Sequence, residues 1–182
     1  MDKDLICDFQ NLYKAYQKTK SGKKFNGSCA RFQTMSLEGL HILKEQLENQ
    51  TYSMNPYNKF KIYEPKEREI KSCAFKDKVV QNCLCYTVLR PRLQSQFIRT
   101  NYAGQIDKGT HFGMDCLKEQ MLSFYEEHGT NGWILKCDIR KFFYTIEHDP
   151  VKDIVDYYFY DEYTVWLNHL FIDSVESPGL PL

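Results

Sequence analysis

Long apolar runs are missing from this chain. No stretch approaches the ~20 consecutive apolar residues that a membrane-spanning helix needs. The first ten residues, MDKDLICDFQ, hold no apolar signal segment. A cytoplasmic protein without a membrane partner is therefore expected. Paired cysteines are missing too. The seven cysteines, at 7, 29, 73, 83, 85, 116 and 137, are odd in number and form no Cys-x-x-Cys. No histidine stands beside one at zinc-ligand spacing, which excludes a zinc ribbon and leaves reduced core thiols as the expectation. Net charge is absent: 24 Lys and Arg balance 24 Asp and Glu. That excludes a protein coating DNA by bulk charge, but not a local basic groove. The five histidines are isolated, and none completes a nucleophile signature with Cys or Ser. There is no internal repeat and no low-complexity segment.

What is present is aromatic and segregated by charge. Thirteen Tyr and twelve Phe in 182 residues can fill the core of one domain, or of one and a fraction. Between Lys14 and Leu37 there are six basic residues and no acidic one, whereas residues 142–182 carry one basic residue against eight acidic ones. Either run can be an ordinary solvated face.

Apolar spacing predicts a helix over 5–20 (Leu5, Phe9, Leu12, Tyr13, Tyr16) and a second from a Ser36 cap with Leu37, Leu40, Leu43 and Leu47 buried. Residues 20–27 form a basic, glycine-containing loop. Residues 58–63 and 68–74 alternate around Glu64-Pro65-Lys66-Glu67, a hairpin with a charged tip. A helix capped by Asp77 buries Val79, Val80, Cys83 and Leu84, with Pro91 near its end. Residues 99–110 are irregular, and a helix over 111–128 ends at His128-Gly129. Trp133 to Ile139 are expected as a buried strand ending in Asp138, and Asp149-Pro150 as the start of helices over 150–160 and 162–173. The chain stops at Ser-Pro-Gly-Leu-Pro-Leu182 without a closing element, so we expect it to be cut short.

Two groups of residues carry chemistry. A carboxylate at the exit of an apolar strand is costly to bury unless paired or metal-bound. After Asp138 come Arg140, Lys141, Phe142 and Phe143: acid, cations, then aromatics, an order suited to a metal-bound triphosphate. The plain alternative is an Asp capping a turn. In the hairpin, Lys66 and Arg68 at i and i+2 share one side of an extended strand and can clamp phosphate. The plain alternative is an exposed charged tip.

Four strings in order resemble the blocks of bacterial reverse transcriptases: IYEPKEREIKSCAFKDKVVQNCL (62–84), FIRTNYAGQIDKGTHFGMDCL (97–117), GWILKCDIRKFFYTIEHDPV (132–151) and the final GLPL (179–182). The resemblance implies an α+β, helix-rich right-hand polymerase fragment with short antiparallel strands. Residues 1–95 would be fingers, 96–147 a partial palm, and 148–182 returning fingers helices with the start of the template-contacting block. It implies that Asp138 is the first metal-binding aspartate and that the carbonyl of Ile139 is a further Mg²⁺ ligand. Lys66, Arg68, Lys141 and Phe142 would hold the dNTP triphosphate, and Phe143 would block a ribose 2′-OH. Lys20, Lys23, Lys24, Arg31 and His111, with Gly179, Leu180 and Pro181, would touch the RNA template. The implied partners are an RNA template, a DNA primer and dNTP, and a homodimer through exposed apolar palm or fingers surface is a further expectation.

The departures matter as much. The family places Tyr-x-Asp-Asp C-terminal to these blocks, and no Asp-Asp pair occurs in the 182 residues. A two-metal site needs bridging carboxylates that Asp138 alone does not supply. The chain by itself is expected to be inactive. A non-catalytic RNA-binding or dimerising module derived from a polymerase is the alternative, as is an RNA polymerase or terminal transferase, against which the bulk of Phe143 argues.

Overall fold

The computed structural model describes residues 1–22, 27–65 and 67–180. Helices α1 (Asp2–Cys7), α2 (Phe9–Lys20), α3 (Gly27–Thr34) and α4 (Ser36–Glu48) precede the strands β1 (Asn58–Ile62) and β2 (Arg68–Ser72). Helix α5 (Phe75–Leu84) then runs through a wide π turn at Cys85–Leu89 into α6 (Arg90–Leu93). The remainder is α7 (Thr110–His128), the single turn α8 (Phe142–Thr145), α9 (His148–Tyr158) and α10 (Glu162–Ile172). The class is α+β: helix-rich, with a two-stranded antiparallel sheet. Among the described residues, no helix is long and apolar enough to cross a membrane.

The chain divides into two compact units, Met1–Pro91 with Lys141–Leu182, and Arg92–Arg140. In the first unit, Ile6, Leu12, Leu40, Leu43, Leu47, Val79, Val80, Leu84 and Leu167 are each at most 2% exposed. These residues recur at helical spacing, so one stripe of each helix faces a common core. Tyr16, Phe32 and Phe75 form an aromatic cluster with centroids 5.4–6.1 Å apart. Buried polar groups are paired across the core. Tyr163 Oη donates to Leu47 O at 3.0 Å, Thr164 Oγ1 to Asp2 Oδ2 at 2.9 Å, and Asn82 Nδ2 to Thr19 Oγ1 at 2.6 Å.

Several expectations are corrected. The 5–20 helix is broken at Asp8, whose extended backbone and carboxylate cap α2 by accepting from Asn11 N. The break rotates α1, so Ile6 is buried and Leu5 exposed. The residue before α4 is Met35, not Ser36, and Leu37 lies outside the buried stripe at 59% exposure. Asp77 is not a cap. It is buried in the first turn of α5, where it accepts from Tyr52 Oη at 2.7 Å and Asn55 N at 3.1 Å. The expected place of Pro91 holds: it lies in α6, two residues before that helix ends at Leu93. Glu147, not Asp149, precedes α9. Cys7, Cys29, Cys83 and Cys116 are buried, but Cys85 and Cys137 are exposed. Of the expected basic loop over 20–27, residues 23–26 lie outside the described residues; the short helix α3 begins at Gly27, and no apolar period announces it.

The second unit holds α7 and the irregular segment before it. The Tyr102 ring covers Gly113, where a Cβ would fall 2.5 Å from the ring. Glu119 accepts from Arg99 Nη2 at 3.0 Å. The largest correction falls here. Residues 131–139 have no regular structure, and Trp133, Ile134 and Leu135 are at least 86% exposed. A buried strand needs neighbours to take its N–H and C=O groups on both edges. Among the described residues β1 and β2 pair only with each other, so the apolar run has no ladder to join.

Candidate functional site

The first unit gathers residues some 70 positions apart around the hairpin. β1 and β2 pair in the register Asn58↔Ser72 to Ile62↔Arg68. At the turn end of the hairpin, where β2 begins, a cavity of about 470 Å³ is lined by Glu67, Arg68, Glu69, Lys141, Phe142, Phe143 and Tyr144. Tyr144 fixes this arrangement by donating its hydroxyl to Glu69 O at 3.2 Å. The Phe142 and Phe143 rings meet edge to face at 5.2 Å. Lys141 sits in the left-handed region, φ 52°, immediately before the α8 turn. A non-glycine residue held there carries backbone strain, a feature that clusters at ligand sites.

The segment after α10 closes over the same turn. Leu180 N donates to Phe143 O at 2.8 Å and Gly179 N to Ile146 O at 2.9 Å. The Gly179 carbonyl faces Nε2 of the buried His148 at 2.7 Å, so that nitrogen carries the proton of the bond. His148 Nδ1 lies 3.3 Å from Asp173 Oδ1, which also pairs with Lys152 Nζ at 2.7 Å. The Lys152 ammonium, aided by His148, holds the Asp173 carboxyl below its ordinary value. Gly179 has φ +133°, a conformation that favours glycine.

Arg68, Lys141, Phe142 and Phe143 thus line one cavity, with Gly179 and Leu180 bonded to its α8 wall. Lys66, Lys23, Lys24 and Pro181 lie outside the described residues. Lys20 ends α2 with its ammonium 5.7 Å from the Tyr16 ring centroid, and Arg31 is exposed on α3. Asp138, Ile139 and His111 belong to the other unit, and all three are exposed. Asp138 is therefore not the buried carboxylate that the strand expectation implied. No family model matches the chain, and no curated protein matches it.

The donor set falls short of the implied two-metal site. Among the described residues no three His, Cys, Asp or Glu side chains converge as metal ligands. Asp138 with the Ile139 carbonyl offers only a fraction of the six oxygens that Mg²⁺ takes. The cavity's own cations favour an anion: a guanidinium and an ammonium, with aromatic rings beside them. Glu67 and Glu69 line the same cavity, and the Glu67 carboxylate is paired with Lys61 Nζ at 2.8 Å.

Periodicity found the hairpin but not the groups that close the site. Tyr144, His148 and Asp173 act across 25–75 positions of sequence, a separation that no local pattern reports.

Proposed function

We propose that the chain is the fingers and part of the palm of an RNA-directed DNA polymerase of the bacterial reverse transcriptase kind. It would work on an RNA template, a DNA primer and dNTP. The observation that carries this reading is the cavity in which Arg68 meets Lys141, Phe142 and Phe143. Those residues belong to two separate family-like strings in the sequence. Arg68 and Lys141 would take triphosphate oxygens, and Phe143 would stand where a 2′-OH intrudes. Asp138 would supply one carboxylate toward Mg²⁺. With no Asp-Asp pair in the 182 residues, this chain alone would bind nucleotide without extending a primer.

The test is nucleotide binding to the purified chain, read by ligand-observed NMR. A dNTP should bind, and Arg68→Ala should weaken it on the order of tenfold, the effect of removing one charge-assisted hydrogen bond. Phe143→Ala should narrow the preference for dNTP over rNTP. Equal dNTP binding by the native chain and Arg68→Ala would overturn the assignment. Full-rate primer extension would overturn the inactivity of the chain.

A dimerising module is the second reading, and one observation favours it. Met114, Leu117, Met121, Leu122 and Tyr125 on α7 are each more than half exposed, as are Trp133, Ile134 and Leu135. An apolar surface of that kind marks an association site.

A further inference from the structure

A second cavity, of about 590 Å³, lies where the hairpin meets the segments before β1 and after α10. Its walls include Lys59, Lys71, Tyr57, Asn55, Ser174 and Glu176. Lys59 and Lys71 are directly opposed in the β1–β2 register. Like charges in that position repel and weaken a hairpin. The next pair on the same face, Lys61↔Glu69, is of opposite sign, and Lys61 also pairs with Glu67 at 2.8 Å. Among the described residues, neither Lys59 nor Lys71 lies within ion-pair distance of a carboxylate. Two ammonium groups beside a concave, hydroxyl-lined surface constitute a site for a doubly charged oxyanion.

The rest of the wall narrows the ligand. Tyr57 Oη and Ser174 Oγ are 2.7 Å apart, which fixes a hydroxyl pair at the wall. Burial pushes the Tyr57 phenol above its ordinary value, so it stays neutral. Glu176 would repel a bare phosphate. A carboxylate is, however, the group that accepts from ribose hydroxyls, and Asn55 offers both donor and acceptor. The volume holds a nucleotide unit and is larger than a lone phosphate needs. We propose that this cavity binds a ribonucleotide, with Lys59 and Lys71 on its phosphate and Glu176 on a ribose hydroxyl. The cavity does not depend on the polymerase reading, since Lys59 lines no wall of the Arg68 cavity.

The test measures fluorescence anisotropy of a labelled single-stranded RNA ten-mer with the 182-residue chain. The same-sequence DNA, free AMP and inorganic phosphate serve as competitors. Lys59→Ala with Lys71→Ala should lower RNA affinity on the order of tenfold and flatten the salt slope by about 0.7 for each phosphate left without its ammonium. Lys61→Ala removes the same charge from the same face and should leave affinity near that of the native chain. Glu176→Gln should narrow the preference for RNA over DNA. Competition by AMP assigns the ligand to free nucleotides, and competition only by RNA assigns it to a strand; both support the site. If the double variant fails to fold, the exposed Lys59→Ala change alone should still weaken binding. Inorganic phosphate competing as well as AMP, Lys61→Ala costing as much as Lys59→Ala, or no binding of any probe would overturn it. Weaker binding by Arg68→Ala but not by Lys59→Ala would place the RNA in the other cavity and overturn this one.

Discussion

At the residue scale, two buried or bridged carboxylates give stability opposite pH dependences. Asp77 is fully buried, and that burial pushes its carboxyl above the ordinary value against the hydrogen bonds from Tyr52 and Asn55. A raised native value means that the folded state holds the proton more tightly than the unfolded one. The Asp77 contribution is greatest at low pH and declines as pH rises from the unfolded value through the native one. Tyr52→Phe deletes a donor to this carboxylate and should cost about 1–3 kcal/mol near neutral pH and less in acid. Urea midpoints across that range check it, and a cost independent of pH would show the carboxylate unlinked to Tyr52. Asp173 has the reverse sign: its lowered native value adds stability that is lost as pH falls through it. Thiols divide just as sharply. Desolvation pushes the Cys83 thiol up to about 12, while Cys85 and Cys137 are exposed. Alkylation of the native chain should mark Cys85 and Cys137 first, with Cys7 and Cys83 reacting only on unfolding; peptide mass mapping reads the order.

At the element scale, the hairpin and the α8 turn form one device because three connections cross between distant segments. Tyr144 binds β2, Leu180 and Gly179 bind the α8 turn, and His148 holds the Gly179 carbonyl. His148→Ala should release the end of the chain without unfolding the helical core. The expected result is faster amide exchange at Gly179 and Leu180, with Leu43 and Val80 unchanged. Gly179→Ala should have the same local effect through its backbone, since φ +133° strains any residue with a Cβ. Uniform loss of protection would show instead that the segment is part of the global core. The hairpin itself was legible in the sequence from alternation and the Glu64-Pro65 tip. Its closing contacts were not, because Tyr144 and Glu69 are 75 positions apart.

At the whole-molecule scale, the apolar segment around Trp133 is the main departure from a self-contained core. Trp133 is fully exposed, whereas Trp166 is half-buried against Tyr163, with ring centroids 5.2 Å apart. Emission should therefore contain one tryptophan that acrylamide quenches readily and one that it quenches less. If the exposed surface drives association, sedimentation should show a concentration-dependent larger species that Trp133→Ser diminishes. A monomer at every concentration would remove the dimerising reading. The expected strand over 133–139 shows why such segments mislead. Continuous apolar character states what a segment would bury if neighbours were present, and only β1 and β2 are paired among the described residues.

The sequence by itself determined the helices whose apolar residues recur every three to four positions, the hairpin, and the glycine stop of α7. Each follows from a period, a cap or a turn within a few residues. It also supplied the order of chemical groups around residues 66–68 and 138–143. The tertiary structure alone decided which groups share a cavity. It joined Arg68 to Lys141 and Phe143, opposed Lys59 to Lys71 beside Tyr57 and Ser174, and left Asp138 exposed in the other unit. The reason is physical. Local periodicity fixes which face of an element is apolar, whereas a binding site is built where loops from distant elements meet, and that meeting depends on long-range packing.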